Sequence, residues 1–247
     1  MNFRSRAVVA LLAMLTLFSA VASAQEAATA EPVHHAFVIA NVTLGAATQG
    51  TLTSAARQTV SPFWGTSLAY QVPMPFGGEV GGGFLVTPFV GFGVDYAYAY
   101  SHGNPAVAVR TDISDEMIGV TKLRRAETAA HLQIVVKPKT SRDTQLLLYG
   151  GPTYFKVNQE MIDSLFTSGA SLDGYTFSEQ TANAWGYNFG ADMTAFLHRN
   201  AGLGVTLRYS RATVQMRDSA KALLGEDGTQ PVTAGGFVFG FGLRLRF

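Results

Sequence analysis

Few side chains in this chain could do chemistry. It carries five histidines and no cysteine, which excludes a disulfide framework, thiolate zinc and a lipid on cysteine. His131 is the best-placed general base, with Asp95 on a neighbouring segment. A hydrolase also needs a nucleophile within reach of that base, and no serine stands in the segment around His131. Gly169-Ala170-Ser171-Leu172-Asp173 misses the nucleophile elbow, because its fifth position is Asp rather than Gly. His34-His35 is a metal pair without further placed ligands. The glycines at 81–83 and 91–93 look like phosphate loops, but no Lys-Ser/Thr closes the motif and no helix pattern follows. The expectation is no catalysis, no metal and no cofactor.

The elements that would position these residues have a period of two. Phe237, Phe239, Phe241, Leu243 and Leu245 fall on one face of the last segment, ending at Phe247. Gly240, Gly242, Arg244 and Arg246 fall on the other. In water, such an apolar row demands a covering layer; in lipid it needs none. Ten steps at about 3.4 Å, tilted by about 40°, rise about 26 Å, which matches the roughly 25 Å apolar band of a transmembrane barrel.

The pattern recurs. Val90 to Tyr100, Leu132 to Val136, Trp185 to Met193 and Leu203 to Tyr209 each alternate large apolar residues with small or polar ones. Thr144 to Val157, Gly78 to Val86 and Ala36 to Thr48 complete about eight strands. The gaps between them alternate short and long. Thr87-Pro88, Pro138 to Asp143 and Leu197 to Ala201 are short; Gln49 to Gly77, Ser101 to Thr128, Asn158 to Thr181 and Ala212 to Val232 are long. Short turns on one rim and long loops on the other are the habit of outer-membrane barrels. Residues 63–72 also alternate; they are assigned to the first loop or to an extension of the second strand, with ten strands as the alternative if Pro105 to Thr111 pairs as well.

Ahead of the strands, Arg4 and Arg6 precede an apolar stretch from Ala7 to Ala20, and Ala22-Ser23-Ala24 suits signal peptidase. Residues 1–24 read as a cleaved signal peptide and 25–247 as the barrel domain. Losing both arginines turns the formal charge from +1 to −1, which gives nucleic-acid binding no electrostatic support. Charged residues make up only 14% of the chain, against about 25% in an ordinary soluble domain.

On these features the chain resembles the small Gram-negative outer-membrane barrels, the OmpA-like, OmpX-like and OmpW-like group. The resemblance rests on the signal peptide, the alternating strands, the Gly-rich runs at 78–83 and 235–242, and the closing Phe241 to Phe247. It covers nearly all of residues 34–247 and implies that Phe247 is the terminal aromatic read by the barrel assembly machinery. It further implies a location in the cell outer membrane, contact with outer-membrane lipid and lipopolysaccharide, and periplasmic chaperones in transit. The chain departs from the two-domain OmpA pattern, because its last residues belong to the last strand and no peptidoglycan-binding domain is expected after it.

The fold class expected is therefore all-β, a transmembrane antiparallel up-and-down barrel. Alternation puts Asp95, His131, Gln133, Lys137, Asn188, Asp192, Thr206, Arg208, Arg244 and Arg246 in the lumen, as a plug or a pore lining. An interior of about eight strands is just wide enough for side chains to fill, and Asp192 and Arg208, brought onto neighbouring strands by a short turn, should pair. Met161, Ile162, Leu165 and Phe166 have helical spacing and suggest a short amphipathic turn within an acidic loop. The role expected is structural support of the outer membrane with passage of small solutes; the alternatives are a narrow porin, a surface adhesin acting through its long loops, and a barrel hydrolase.

Overall fold

The computed structural model describes residues 35–45, 52–57, 65–70, 75–101, 106–110, 115–119, 124–141, 143–168, 171–217 and 229–247. The signal peptide, His34, the Gly169-Ala170 step and residues 218–228 lie outside them. Twelve strands are present among the described residues: β1 (Ala36–Gly45), β2 (Leu52–Arg57), β3 (Gly65–Tyr70), β4 (Phe76–Leu85), β5 (Val90–Ser101), β6 (Ala106–Arg110), β7 (Asp115–Gly119), β8 (Arg125–Val136), β9 (Thr144–Ser168), β10 (Ser171–Phe196), β11 (Ala201–Arg217) and β12 (Thr229–Arg246).

Eight of them close an antiparallel barrel in the order β1-β12-β11-β10-β9-β8-β5-β4. Closure runs through the first and last strands, with Phe37 opposite Arg246 and Gly45 opposite Val238. At the seam the backbone N–H of Phe247 donates to the Ala36 carbonyl at 2.9 Å. A closed barrel leaves no edge to satisfy, which is why strands can cross a hydrocarbon layer at all.

Of two expectations about strands, the eight-stranded barrel holds with an addition and the other needs correcting. Residues 63–72 do contain a strand, β3, and Ala106–Arg110 pairs with it, but neither joins the barrel. They form a second sheet, β2-β3-β6-β7, which ties the two longest loops together and leaves the barrel at eight strands. The stretch 161–168 is no amphipathic turn either. It continues β9, paired residue by residue with β10 and interrupted by two register shifts. Helical spacing over two turns is a weak signal, and the growing hairpin offers every backbone group a partner.

Within the barrel the alternation sorts side chains cleanly. Val42, Val80, Phe92, Ile134, Phe189, Leu207 and Phe241 stand on the outside, each about half exposed. An aromatic girdle rims this belt at the long-loop end, where Tyr154 meets Trp185 at 5.3 Å and Tyr209 meets Phe237 at 4.8 Å. Such rings sit where apolar and polar surroundings meet. Above the girdle, β8 to β12 continue, and the two faces exchange character. Lys156, Asn183, Thr213 and Gln215 now lie on the outer faces of their strands, while Phe155, Val157, Val214, Met216 and Val232 are fully buried inside.

Candidate functional site: the filled lumen

The lumen is filled at two levels. Next to the short turns, Phe37, Ile39, Val135, Leu147 and Tyr149 form an apolar cluster. Glycines on the facing strands make room for it: a Cβ on Gly83 would meet the Phe37 ring, and one on Gly190 would meet the Tyr149 ring. This gives the Gly-rich strands a steric reason.

Two guanidinium centres complete the filling, one level with this cluster, where Arg244 stands opposite Ile39 and Asp192 opposite Leu147, and one farther from the short turns. Arg244 on β12 holds Asp192 on β10 with two nitrogens, Nη2 to Oδ2 at 2.5 Å and Nε to Oδ1 at 3.0 Å. Its Nη1 donates to Asn41 Oδ1 at 2.7 Å, and its Nη2 donates to Thr206 Oγ1 at 2.9 Å. Thr206 in turn donates to Asp192 Oδ2 at 2.5 Å. Every charged atom of this centre is matched, and bidentate geometry makes the pair strong as well as specific.

Arg208 on β11 builds the other centre. Its Nη2 meets Glu79 Oε1 on β4 at 2.5 Å and Asp95 Oδ2 on β5 at 2.8 Å. Gln133 donates to the same Asp95 oxygen at 2.9 Å and reaches Asn188 Oδ1 at 3.2 Å. Asn188 donates to Thr153 Oγ1, and Thr153 bonds His131 Nδ1 at 2.8 Å. Tyr149 lies beneath Arg208, 5.3 Å from guanidinium carbon to ring centre. Glu79 Oε2, Arg208 Nε and the Tyr149 hydroxyl have no hydrogen-bond partner.

Most of the residues expected in the lumen are thus found together. Asp95, His131, Gln133, Asn188 and Arg208 are buried in one hydrogen-bonded network, and Asp192, Thr206 and Arg244 in the other. Lys137 and Arg246 stand apart. Arg246 lies at the short-turn rim, donating to the Arg199 carbonyl at 2.9 Å and covering the Phe196 ring at 3.6 Å. Lys137 falls just past the end of β8, its backbone N–H on the Phe89 carbonyl. Both belong to the last step of their strands, where the lumen has already become turn.

The expected Asp192–Arg208 pair does not form. Asp192 sits opposite Thr206 and Arg208 opposite Gly190, so the two are offset along the hairpin, and each finds a partner from a strand distant in sequence. Glu79, Asn41 and Thr153 are among the lumen residues that the sequence reading missed, as are Arg125 and Gln159. Glu79 could have been found, since it shares parity with Gly81 and Gly83 as the lone charge in a glycine-rich strand.

A third polar group closes the lumen nearer the long loops. Arg125 forms an ion pair with Glu127 and donates to Gln159 Oε1 at 3.1 Å. Across the barrel, Arg125 Nη2 reaches the Thr233 carbonyl at 2.6 Å, and Glu127 Oε2 accepts the Gly235 N–H at 2.9 Å. Gly235 has φ of 84°, a conformation glycine adopts without strain. Between this group and the Arg208 centre lies a cavity of about 60 Å³.

Fold and lumen together define the class: a small, closed, eight-stranded antiparallel β-barrel whose apolar outer belt suits a membrane-spanning wall. The outer membrane protein OprG of Pseudomonas aeruginosa has a similar fold, with a TM-score of 0.51 at 11% identity, covering 87% of this chain and 96% of that one. Also found are neisserial surface protein A (TM-score 0.43, 15% identity, 87% and 98% covered) and a major outer membrane protein of Thermus thermophilus (0.44, 13%, 87% and 100%). No family model and no curated relative matches the chain.

Proposed function

We propose that this protein is a closed barrel that reinforces the outer membrane and carries a β-rich structure above it, without catalysis. The observation that supports this most is the buried Arg208 centre, which joins β4, β5 and β11 across the lumen. Beneath it, the apolar cluster blocks the remaining height. Strands β9 and β10, at 25 and 26 residues, run more than twice the roughly 9–11 residues that a spanning strand needs. The surplus would project beyond the lipid. Lipid and lipopolysaccharide would contact the apolar belt, chaperones would shield it in transit, and Phe247 would be read by the assembly machinery.

Against a hydrolase stand the burial of His131 and its hydroxyl partner Thr153, which leaves no room for substrate, and the carboxylate of Asp95, held by Gln133 and Arg208 rather than by the imidazole. Passage of small solutes is the second reading, favoured by the cavity above the Arg208 centre. Planar-bilayer recording on refolded protein separates the two. Folded material, identified by its faster unboiled gel band, should be electrically silent. Discrete current steps that change in Arg208→Ala would establish a pore instead.

A further inference from the structure

The two guanidinium centres differ in their charge balance. Arg244 faces one carboxylate, Asp192, and the pair is neutral and fully hydrogen-bonded. Arg208 faces two, Glu79 and Asp95, through a single nitrogen. The Arg125–Glu127 pair above it is neutral, so the surroundings of Arg208 carry one carboxylate in excess. An unmatched charge inside a protein is costly enough to demand either a proton or a counter-charge, and an unsatisfied carboxylate oxygen facing a cavity favours the second.

The geometry shows where that charge would go. Glu79 has 1% of its side chain exposed, and only its Oε1 is used by Arg208. Its Oε2 has no hydrogen-bond partner, and Glu79 lines the cavity above the centre. Thr43 and Ser210 line the same cavity and offer hydroxyl oxygens. At about 60 Å³, with each water taking roughly 10–15 Å³ by this kind of measure, the space suits an ion and a few waters.

We propose that Glu79 Oε2 and this cavity bind one small monovalent cation, either an alkali ion or a compact primary ammonium group. On its long-loop side the cavity is bordered by Gly45, Pro75 and the Arg125–Glu127 pair, so an entering ion passes that group. A divalent ion is disfavoured. Among the described residues no group of three or more His, Asp or Glu could hold a metal, whereas calcium takes 6–8 oxygens and usually several carboxylates. An anion would meet the excess carboxylate. The site rests on the closed lumen proposed above, since the Arg208 centre is its floor.

The test is unfolding of the refolded full-length barrel in urea, followed by the unboiled gel band, at matched ionic strength in three chlorides: sodium, methylammonium and N-methylglucamine. Binding to the folded state alone raises the midpoint in a saturable way. A rise is expected with sodium, with methylammonium or with both, and none with N-methylglucamine, which the cavity is too small to admit. A response to sodium alone identifies an alkali site, and one to methylammonium alone an ammonium site. Glu79→Gln should abolish the rise. Should that variant not fold, Asp95→Asn removes the same excess charge while keeping the Glu79–Arg208 contact, and should also abolish it. Equal midpoints in all three salts, or a rise that persists in whichever variant folds, would overturn the site. Current steps in the bilayer recording would overturn the closed lumen separately.

Discussion

Along β11 the same backbone ladder serves two opposite environments. From Leu203 to Tyr209 the odd positions are apolar and face outward, while Thr206 and Arg208 face a polar interior. From Ala212 to Met216 the even positions are apolar and face inward, while Arg211, Thr213 and Gln215 face outward. β9 changes in the same way after Tyr154, and β12 changes across Gly235-Gly236. Pleat direction does not change; only the side of the wall that is apolar does. The lower region therefore reads as a wall between lipid and a lumen filled by buried ion pairs over an apolar floor. The upper one reads as a wall between water and an interior that is mainly apolar around the Arg125–Gln159 contact. The level of the exchange coincides with the aromatic girdle.

This contrast can be tested at its most costly point first. Asp192→Ala would strand the Arg244 guanidinium inside the lower region and should cost about 3–5 kcal/mol, as expected when one member of a buried pair is removed. Urea titration of the folded band would show it as a large fall in midpoint. A change below about 1 kcal/mol would mean that water reaches Arg244 and that the lower lumen is not closed.

Charge on the outer face separates the regions more sharply. Val205→Arg, between Met193 and Phe241 in the belt, should cost about 2–4 kcal/mol when the protein folds into lipid. Thr213→Arg lies on the same strand and the same outward face but above the girdle. It should change stability by no more than about 0.5 kcal/mol. Comparable losses from the two in vesicle refolding would place Thr213 within the lipid and abolish the boundary.

Gly204→Ala falls between these extremes. Its new methyl would press on the Arg244 side chain, whose Nε stands 2.8 Å from the ideal Cβ position. Overpacking of this kind costs about 1–3 kcal/mol. In the double variant with Arg244→Met, whose more flexible side chain can move aside, the additional cost of Gly204→Ala should largely vanish. A double-mutant cycle reads that coupling directly.

The membrane-spanning faces were legible because lipid imposes a strict rule on each strand separately. Phe237 to Leu245 alternate without exception, and no partner strand is needed to see which side meets hydrocarbon. Glu79 was harder to place, because the glycines around it leave the face of β4 almost unmarked. The upper apolar interior was legible in principle. Its signal is the shift of the apolar residues from odd to even between Tyr209 and Ala212, which disappears when the strand is ended at the girdle. The strands β3 and β6 could be suspected from alternation, but their pairing with each other could not.

Sequence alone determined the eight spanning strands, the short and long rims, and many of the charges turned inward, because a period of two is a local property of an extended chain. Tertiary structure decided which charges meet. Arg208 and Asp192 are near neighbours in sequence, yet Arg208 binds Glu79, 129 positions away, and Arg244 binds Asp192. Barrel closure sets which strands face one another across the lumen, and the stagger of each strand sets the height at which a side chain enters it. Neither quantity is encoded in a single strand, so the neutral pair at Arg244 and the excess carboxylate at Arg208 arise only when the ring is complete.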